Sequence, residues 1–449
     1  MTKLKIGYLA LAKHSWMNDN FAKHRARALS SLNGLGDTFD IVDCGGLIQS
    51  DLGALDVVGA FEDAHVDVVV VHFITFALGT IVPTVAMRLR KPIIFWSEPE
   101  PPMTGGRIEA NSFCAANMNA HALWKMGVPY SFVYGTPDTV SEELSEQFRA
   151  HACVKQLNGA RIGVLGGRVP GFYTSDYDEL RMRKIFGTEI ECITLLELAN
   201  KAEKVPDEKL AITQEEVKAG ASCQVSEGAV LKTASLLSAV RTMTEQYRLD
   251  AWAVRCWPEF GDLFGVTACR ILSCVTGSGK PSACEGDTYG ALAMLVAQSM
   301  TDSDSFFCDM IAFDEQTNTG VFWHCGAAPH SLCDSCASPV LRQHSIIDGG
   351  DRKGIVSEFP LKPGQVTIMR IGENRERGYR MLSIAGEAMQ TEQIVRGTPL
   401  QVRFKQPVRS VVDTLIQKGF EHHFILCYGD IQAELRTFSS LLNLDLIEF

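Results

Sequence analysis

The chain has 449 residues, enough for roughly three domains at about 150 residues per domain. Its 42 Lys and Arg against 53 Asp and Glu give a net charge of −11, which argues against the basic surface that a nucleic-acid partner requires. Hydrophobic residues make up 46% of the chain and charged residues 21%, a balance that excludes intrinsic disorder and predicts a globular protein.

No membrane partner is expected. The longest apolar stretch, residues 68–87, contains His72, Gly79 and Pro83 and therefore predicts a buried strand followed by a helix. The N-terminal apolar stretch ends early at Lys13 and shows no cleavage pattern, so we expect no signal peptide. Fourteen scattered cysteines in a long chain are typical of reduced thiols, and these features together predict a cytoplasmic protein.

The first part of the chain alternates short aliphatic runs with segments of helical length. Strands are predicted at residues 5–12, 67–72 and 92–95, and helices at 19–32 and 81–89. This alternation indicates a parallel sheet covered by helices, and we assign residues 1–155 to an N-terminal α/β domain. The Pro- and Gly-rich loop 96–106 follows a strand at the edge where open α/β sheets bind ligands.

A second α/β domain, residues 156–305, follows a polar helical stretch at 136–155. It begins with a strand and a glycine-rich loop whose spacing matches neither common nucleotide-binding motif, so these glycines predict turns. Long helices are predicted between residues 212 and 247, and a buried strand at 250–256 leads to Glu259.

The third domain, residues 306–449, contains segments typical of antiparallel strands at 364–371 and 379–385. The predicted fold class is therefore α/β: two Rossmann-like doubly wound α/β domains, then a C-terminal domain with an antiparallel β component.

Three acidic or imidazole groups lie at the ends of apolar runs, where a side chain can be aimed rigidly into a cleft, and two of them are acidic. Glu259 ends DAWAVRCWPE, and Asp287 directly precedes the apolar helix ALAMLVAQSM. Asp287 also suits a purely structural role, since an Asp at a helix start accepts hydrogen bonds from unpaired backbone N–H groups. Glu285, two residues earlier, competes with it for a functional role.

The imidazole candidates lie in the third domain. His422 and His423 precede the run FILCY, and alternation along a strand predicts that their side chains point to opposite faces. His324 and His330 lie close to Cys325, Cys333 and Cys336, which together have the ligand types of a structural zinc site. The second pair of closely spaced ligands that such a site needs is missing from this segment.

Four stretches in one order resemble the L-fucose isomerase and L-arabinose isomerase family of metal-dependent aldose–ketose isomerases. They are RCWPEF, ACEGDTYGALAMLVAQSMT, FWHCGAAPHSL and FEHHFILCYGDIQAELRTFSSLL. The similar domain order extends over essentially the whole chain, whereas the specific motifs lie almost entirely after residue 250.

The resemblance implies that Glu259, Asp287 and His423 bind a divalent cation, namely Mn²⁺, with Mg²⁺ or Co²⁺ as alternatives. His422 stands where the fucose isomerases tend to have Asn. The double histidine is similar to the arabinose isomerases, whose additional histidine ligand corresponds to His324, so three and four ligands both remain open.

Two carboxylates and an imidazole suit such an ion and leave positions for substrate oxygens. The predicted reaction moves a proton between C1 and C2 of an open-chain sugar through an enediol, with Glu259 and Asp287 as the acid–base pair. The alternatives from other classes are a non-catalytic sugar-binding protein and a metal-dependent hydrolase.

The substrate is a small-molecule sugar whose identity the motifs leave open. His324, His422, Arg168, Tyr173 and Trp257 are the predicted substrate-binding residues. If Arg168 or Arg107 reaches the far end of the sugar, an anionic substrate such as sulfoquinovose is expected; otherwise a sugar of the L-fucose or L-arabinose type fits. The resemblance also implies a homotrimer or homohexamer with active sites at subunit interfaces.

Overall fold

The computed structural model describes residues 3–36, 38–345 and 354–449, and internal contacts divide the chain into the units Met1–Lys155 and Gln156–Phe449. In the first unit, strands and helices alternate: β1 (Leu4–Leu11), α1 (Asp19–Asn33), β2 (Phe39–Ile48), α2 (Asp51–Asp63), β3 (Val68–Phe73), α3 (Ile81–Leu89), β4 (Ile93–Ser97), α4 (Ser112–Met126), β5 (Tyr130–Tyr134) and α5 (Ser141–Leu157).

The first unit is built on a parallel sheet in the order β2-β1-β3-β4-β5. Two apolar clusters cover its faces: alternate residues of β3, such as Val69 and Val70, belong to opposite clusters. The strands and helices predicted for this segment are confirmed, including the strand and helix predicted within residues 68–87. None of the described helices combines the length and apolar character that crossing a bilayer requires.

His151, on the buried side of α5, makes the stability of the first unit depend on pH. Burial lowers the pKa of His151 from 6.5 to about 4. Below pH 6.5 the unfolded chain therefore takes up a proton that the folded chain does not, and stability falls as the pH decreases toward 4, by up to about 1.4 kcal/mol per pH unit. We expect His151→Leu to flatten this dependence in urea unfolding measured between these pH values. The exposed His121→Leu is the control, and an unchanged slope in His151→Leu would contradict the assignment.

The second unit begins with another set of strands and helices. They are β6 (Arg161–Leu165), α6 (Glu179–Phe186), β7 (Glu189–Ile193), α7 (Leu195–Ala202), α8 (Asp207–Lys218), β8 (Ser222–Cys223), α9 (Glu227–Tyr247), β9 (Ala251–Val254), α10 (Cys269–Thr276), β10 (Ser282–Ala283) and α11 (Thr288–Thr301). The strands β10-β9-β6-β7 form a parallel sheet in that order.

The remaining elements are mostly antiparallel strands. They are β11 (Phe306–Asp314), β12 (Thr319–His324), β13 (Val340–Arg342), β14 (Val356–Glu358), β15 (Gly364–Glu373), β16 (Tyr379–Ala388), β17 (Thr398–Phe404), α12 (Val408–Lys418), β18 (His423–Tyr428), α13 (Gln432–Leu442) and β19 (Asp445–Glu448). The larger sheet has the order β15-β18-β11-β12-β17-β16-β19. Because β15 also pairs with β16, six of its strands close on themselves, which leaves β19 parallel to β16.

The molecule is thus a mixed α/β protein with parallel sheets followed by an antiparallel sheet, as predicted. The antiparallel pairing expected between residues 364–371 and 379–385 is confirmed by the pairing of β15 with β16. The division of the second unit at residue 305 stays a prediction. Strands β10, β11, β12 and β18 bring the candidate site together: Glu285 follows β10, Asp309 lies within β11, His324 ends β12 and His423 begins β18.

Candidate active site

Glu285 occupies a constrained turn between β10 and α11. Its φ of +59° lies in the left-handed region, which non-glycine residues rarely adopt and which is frequent at functional sites. Gly286 follows with a φ of +69°, and a Cβ there would lie 2.3 Å from the carbonyl oxygen of Gly167. The turn therefore requires glycine at 286, and its tight packing against the 166–168 loop fixes the direction of the Glu285 side chain.

His423, the first residue of β18, bridges two carboxylates. Its Nδ1 lies 2.9 Å from Asp287 Oδ2 and its Nε2 lies 2.9 Å from Glu285 Oε2. Burial opposes protonation, but the hydrogen bonds to both carboxylates raise the pKa of His423 to about 9. Burial likewise opposes ionisation of Glu285, yet the imidazoles of His422 and His423 hold the pKa of that carboxyl well below its ordinary range.

Asp287 is fully buried and its oxygens are already engaged. Arg370 Nη1 and Nη2 donate to Asp287 Oδ2 and Oδ1 over 2.5 and 3.0 Å, and Gly290 N donates to Oδ1 over 2.8 Å. Burial would raise the pKa of Asp287, but the guanidinium of Arg370 and the ring of His423 keep it well below its usual value. Asp287 therefore caps α11, as its structural interpretation predicts, and orients His423.

Asp309 and His324 complete the cluster from neighbouring strands. Asp309 pairs directly with His423 across β11 and β18, and its Oδ1 lies 3.8 Å from His423 Nε2. Within the described residues, Asp309 Oδ1 and His324 Nδ1 are both buried without a hydrogen-bond partner. Burial lowers the pKa of His324, which keeps its imidazole neutral and able to bind a metal.

Two overlapping sets of side chains meet the distance requirement for a shared ion. Ligand atoms of Glu285, His324 and His423 lie within 4.8 Å of one another, and so do those of Asp309, His422 and His423. Each set includes one residue with a buried atom that lacks a hydrogen-bond partner, His324 in the first set and Asp309 in the second. Carboxylate and imidazole donors of this kind suit a divalent transition metal such as Mn²⁺.

The prediction that His422 and His423 point to opposite faces is wrong. Strand β18 begins at His423, so strand alternation does not apply to His422, and the two rings lie 3.9 Å apart. His422 is half-exposed, with Nδ1 lying 3.1 Å from Thr174 Oγ1. The Phe172 ring packs edge-on against both His422 and Trp257, with centroids 5.5 and 5.7 Å away.

The other predicted residues lie in or beside this region. Arg168 stacks over the exposed ring of Tyr173 at 5.0 Å, and its carbonyl accepts a hydrogen bond from Arg255. Glu259 forms a two-point ion pair with Arg255, four residues earlier, and belongs to neither of the two ligand sets found among the described residues. The structure thus brings Asp287, His324, His422 and His423 together and directs Glu259 toward an arginine.

The possible zinc site does not form in the part of the chain that is described. Cys333 and Cys336 belong to no group of three potential ligands there. The Cys333 thiol instead donates to the carbonyls of Asp334 and Ala337, and His330 Nε2 lies 2.8 Å from Arg270 Nη1. These side chains serve local packing and hydrogen bonding.

Sequence reasoning weighed Glu285 but favoured Asp287, and it overlooked Asp309 and Arg370. A detectable signal existed for both. Each is a single charged residue within a largely apolar strand, FFCDMIAF and QVTIMRIG, and a charge that is buried in a sheet requires an opposite charge or a ligand.

Comparison with known proteins supplies the family. Residues 322–449 match the model of the L-fucose isomerase C-terminal domain. The chain is 36% identical over 387 residues to a sulfoquinovose isomerase of Alkalicoccus urumqiensis, covering 85% of this chain and 86% of the relative. It is 31% identical over 385 residues to a sulfoquinovose isomerase of Priestia aryabhattai, covering 85% of both chains.

A solved solute-binding protein from Actinobacillus succinogenes with bound D-allose aligns with 67% of this chain and 93% of its own at 15% identity. Its TM-score of 0.18 is too low to carry an argument for the sugar-binding alternative. The names of the relatives and the matched domain favour an isomerase over that alternative and over a hydrolase. The chain belongs to the fucose isomerase-like family and is an enzyme that interconverts aldose and ketose sugars.

Proposed function

We propose that this enzyme is a metal-dependent sulfoquinovose isomerase. The observation that carries the metal dependence is that two sets of potential ligands, Glu285 with His324 and Asp309 with His422, each lie within 4.8 Å of one another and share His423. His324 and Asp309, one from each set, have buried ligand atoms without a partner among the described residues. The substrate follows from the relatives that are named for sulfoquinovose. Carboxylates and imidazoles gathered around His423 are costly to bury unless a cation compensates them.

In this proposal Glu285, Asp309, His324 and His423 hold the ion, and Mn²⁺ is the expected one. Asp287 accepts a hydrogen bond from His423 Nδ1, which leaves Nε2 as the ligand atom. Arg370 in turn fixes Asp287 from β15. Glu285 and Asp309 thereby take the ligand roles that the resemblance gave to Glu259 and Asp287.

The bound ion supplies a Lewis acid that polarises the carbonyl of the open-chain sugar. Glu285 and Asp309 flank His423 from β10 and β11, so their carboxylates face one region from two directions. We assign them the proton transfers of the isomerisation: removal of the proton from C2 with its return to C1, and exchange of the hydroxyl protons. We assign sugar binding to His422 and to its neighbours around Phe172, namely Trp257, which packs on the same ring, and Tyr173, which follows it in the chain.

The reaction and its metal are tested together by an assay with purified full-length protein. We expect turnover of sulfoquinovose that is lost after EDTA treatment and restored by Mn²⁺. L-Fucose, L-arabinose and D-arabinose serve as parallel substrates, because the family resemblance alone fits them equally well. Turnover that persists in EDTA would contradict the metal dependence, and preference for a neutral sugar would contradict the substrate.

Assembly into a homotrimer or homohexamer, which the resemblance implies, stays a prediction. Light scattering on the purified chain measures it directly.

A further inference from the structure

Beside His324 lies a polar cavity that the isomerisation chemistry does not use. Its volume is about 380 Å³, and it is lined by Gln224, Arg342, Gln343, His344, Ser345 and Arg396. Among the described residues that line it are two arginines and an imidazole and no carboxylate, a combination typical of a site for an anion.

A buried carboxylate underneath holds the two guanidinium groups in place. Glu358, whose side chain is 2% exposed, accepts from Arg396 Nε over 2.5 Å and from Arg342 Nη1 over 3.3 Å. Gln224 Oε1 accepts from Arg342 Nε over 3.0 Å, and the carbonyl of Gln343 accepts from Arg396 Nη2 over 2.9 Å. Glu358 balances one of the two guanidinium charges, so these three described side chains carry a net positive charge, and the arginine side chains stay 39% and 45% exposed. They are therefore prearranged and still accessible.

The cavity is joined to the candidate metal cluster through the backbone around His324. The indole Nε1 of Trp323 donates to the carbonyl of Arg396 over 2.6 Å. Gly397 has a φ of +98°, and a Cβ there would lie 2.5 Å from the carbonyl oxygen of His324, so only glycine permits this close approach.

The strand register sets the distance between His324, in the candidate metal cluster, and Arg396, in the cavity. His324 pairs with Thr398, two residues after Arg396. At ~3.3 Å per residue, Arg396 lies at most about 7 Å along the chain from the partner of His324. An extended six-carbon sugar chain has a comparable length.

We propose that Arg342 and Arg396 bind the sulfonate group of the substrate, and that Gln224 positions Arg342. This inference rests on the proposed function and deepens it by naming the residues that distinguish a sulfonated sugar from a neutral one. A planar guanidinium offers several donors to the oxygens of a tetrahedral anion. Arg168 is less suited, because it stacks on Tyr173 and has the exposed Asp176 carboxylate 4.0 Å away.

The test compares sulfoquinovose with quinovose, its neutral counterpart without the sulfonate, in the Mn²⁺-loaded enzyme. We expect Arg396→Gln and Arg342→Gln each to raise the KM for sulfoquinovose by roughly 10- to 100-fold with little change in kcat, since a charge-assisted hydrogen bond is lost. The KM for quinovose should not change. If quinovose is turned over too slowly for a KM to be measured, its kcat/KM should not change. Each single variant leaves Glu358 with one arginine, and Arg396→Lys keeps the charge as a rescue variant.

A second readout is independent of turnover. Methanesulfonate should raise the thermal midpoint of the wild-type protein and not that of the two glutamine variants. Arg403→Gln, which removes an exposed arginine that lies on β17 and is paired with Glu387, is the matched control. The inference is overturned if the cavity variants leave the KM for sulfoquinovose unchanged or raise the KM values for both sugars equally. It is also overturned if Arg168→Gln, and neither cavity variant, raises the KM for sulfoquinovose. If the wild-type enzyme does not convert sulfoquinovose at all, the proposed function itself fails.

Discussion

Glu285→Gln is expected to reduce isomerase activity by roughly 10²–10⁴-fold, the range for loss of a proton-transferring side chain. The substitution preserves the shape of the side chain and removes the charge that faces His423 at 2.9 Å. It should also weaken Mn²⁺ binding by at least about tenfold, because even changes behind a ligand cost that much. The two quantities are measured by steady-state kinetics and by electron paramagnetic resonance of free Mn²⁺.

Glu259→Gln is the matched comparison. Glu259 is paired with Arg255, so its loss should leave Mn²⁺ affinity close to the wild-type value. Exchange of the substrate C2 proton with solvent deuterium should stop in Glu285→Gln. The opposite result would contradict this assignment: Glu285→Gln would keep C2-proton exchange and Mn²⁺ affinity, and Glu259→Gln would lose both. Glu259 would then be the carboxylate that binds the metal and transfers the proton.

Asp287→Asn is expected to destabilise the protein by about 3–5 kcal/mol, because it leaves the fully buried guanidinium of Arg370 without its principal counter-charge. Glu421 is a weaker substitute, with Oε2 3.8 Å from Arg370 Nε. Activity should also fall, by roughly 10–100-fold, since His423 loses its orienting carboxylate. Urea unfolding and kinetics on the same samples measure both effects.

A double-mutant cycle separates this pair from general damage. Arg370→Met combined with Asp287→Asn should cost less than the sum of the single changes, since neither partner then remains as a buried unpaired charge. The exposed pair Arg409–Asp413 is the control, and Arg409→Met should cost less than about 1 kcal/mol. Additive losses at Asp287 and Arg370 would show that the two do not form a coupled ion pair.

Much of the fold could be predicted from the sequence, because buried strands and covering helices leave distinct periodicities. β3 and α3 are examples: both are largely buried and carry the expected pattern. β2 was not predicted, since it is half-exposed along its length and includes Gly45 and Gly46, which weaken any strand signal. Closure of the C-terminal sheet depends on pairing between β15 and β16 as well as distant strands, which local periodicity does not encode.

The site could be predicted only in part. The apolar run that follows it indicates His423, whereas His324 becomes a candidate ligand only through the family resemblance. Asp287 was chosen over Glu285 from its place in the motif, yet a carboxylate that caps a helix and pairs with Arg370 has no free oxygen for a cation. The contribution of Asp309 depends on its register opposite His423, 114 residues later, and such a pairing is visible only in three dimensions.

The ligand set itself can be measured by diffraction from crystals grown with Mn²⁺, using the anomalous signal of the metal. A single peak in contact with Glu285, Asp309, His324 and His423 is the expected result. A peak bound by Glu259 instead, or crystals that show no ion among these four side chains at millimolar Mn²⁺, would contradict the proposed metal centre.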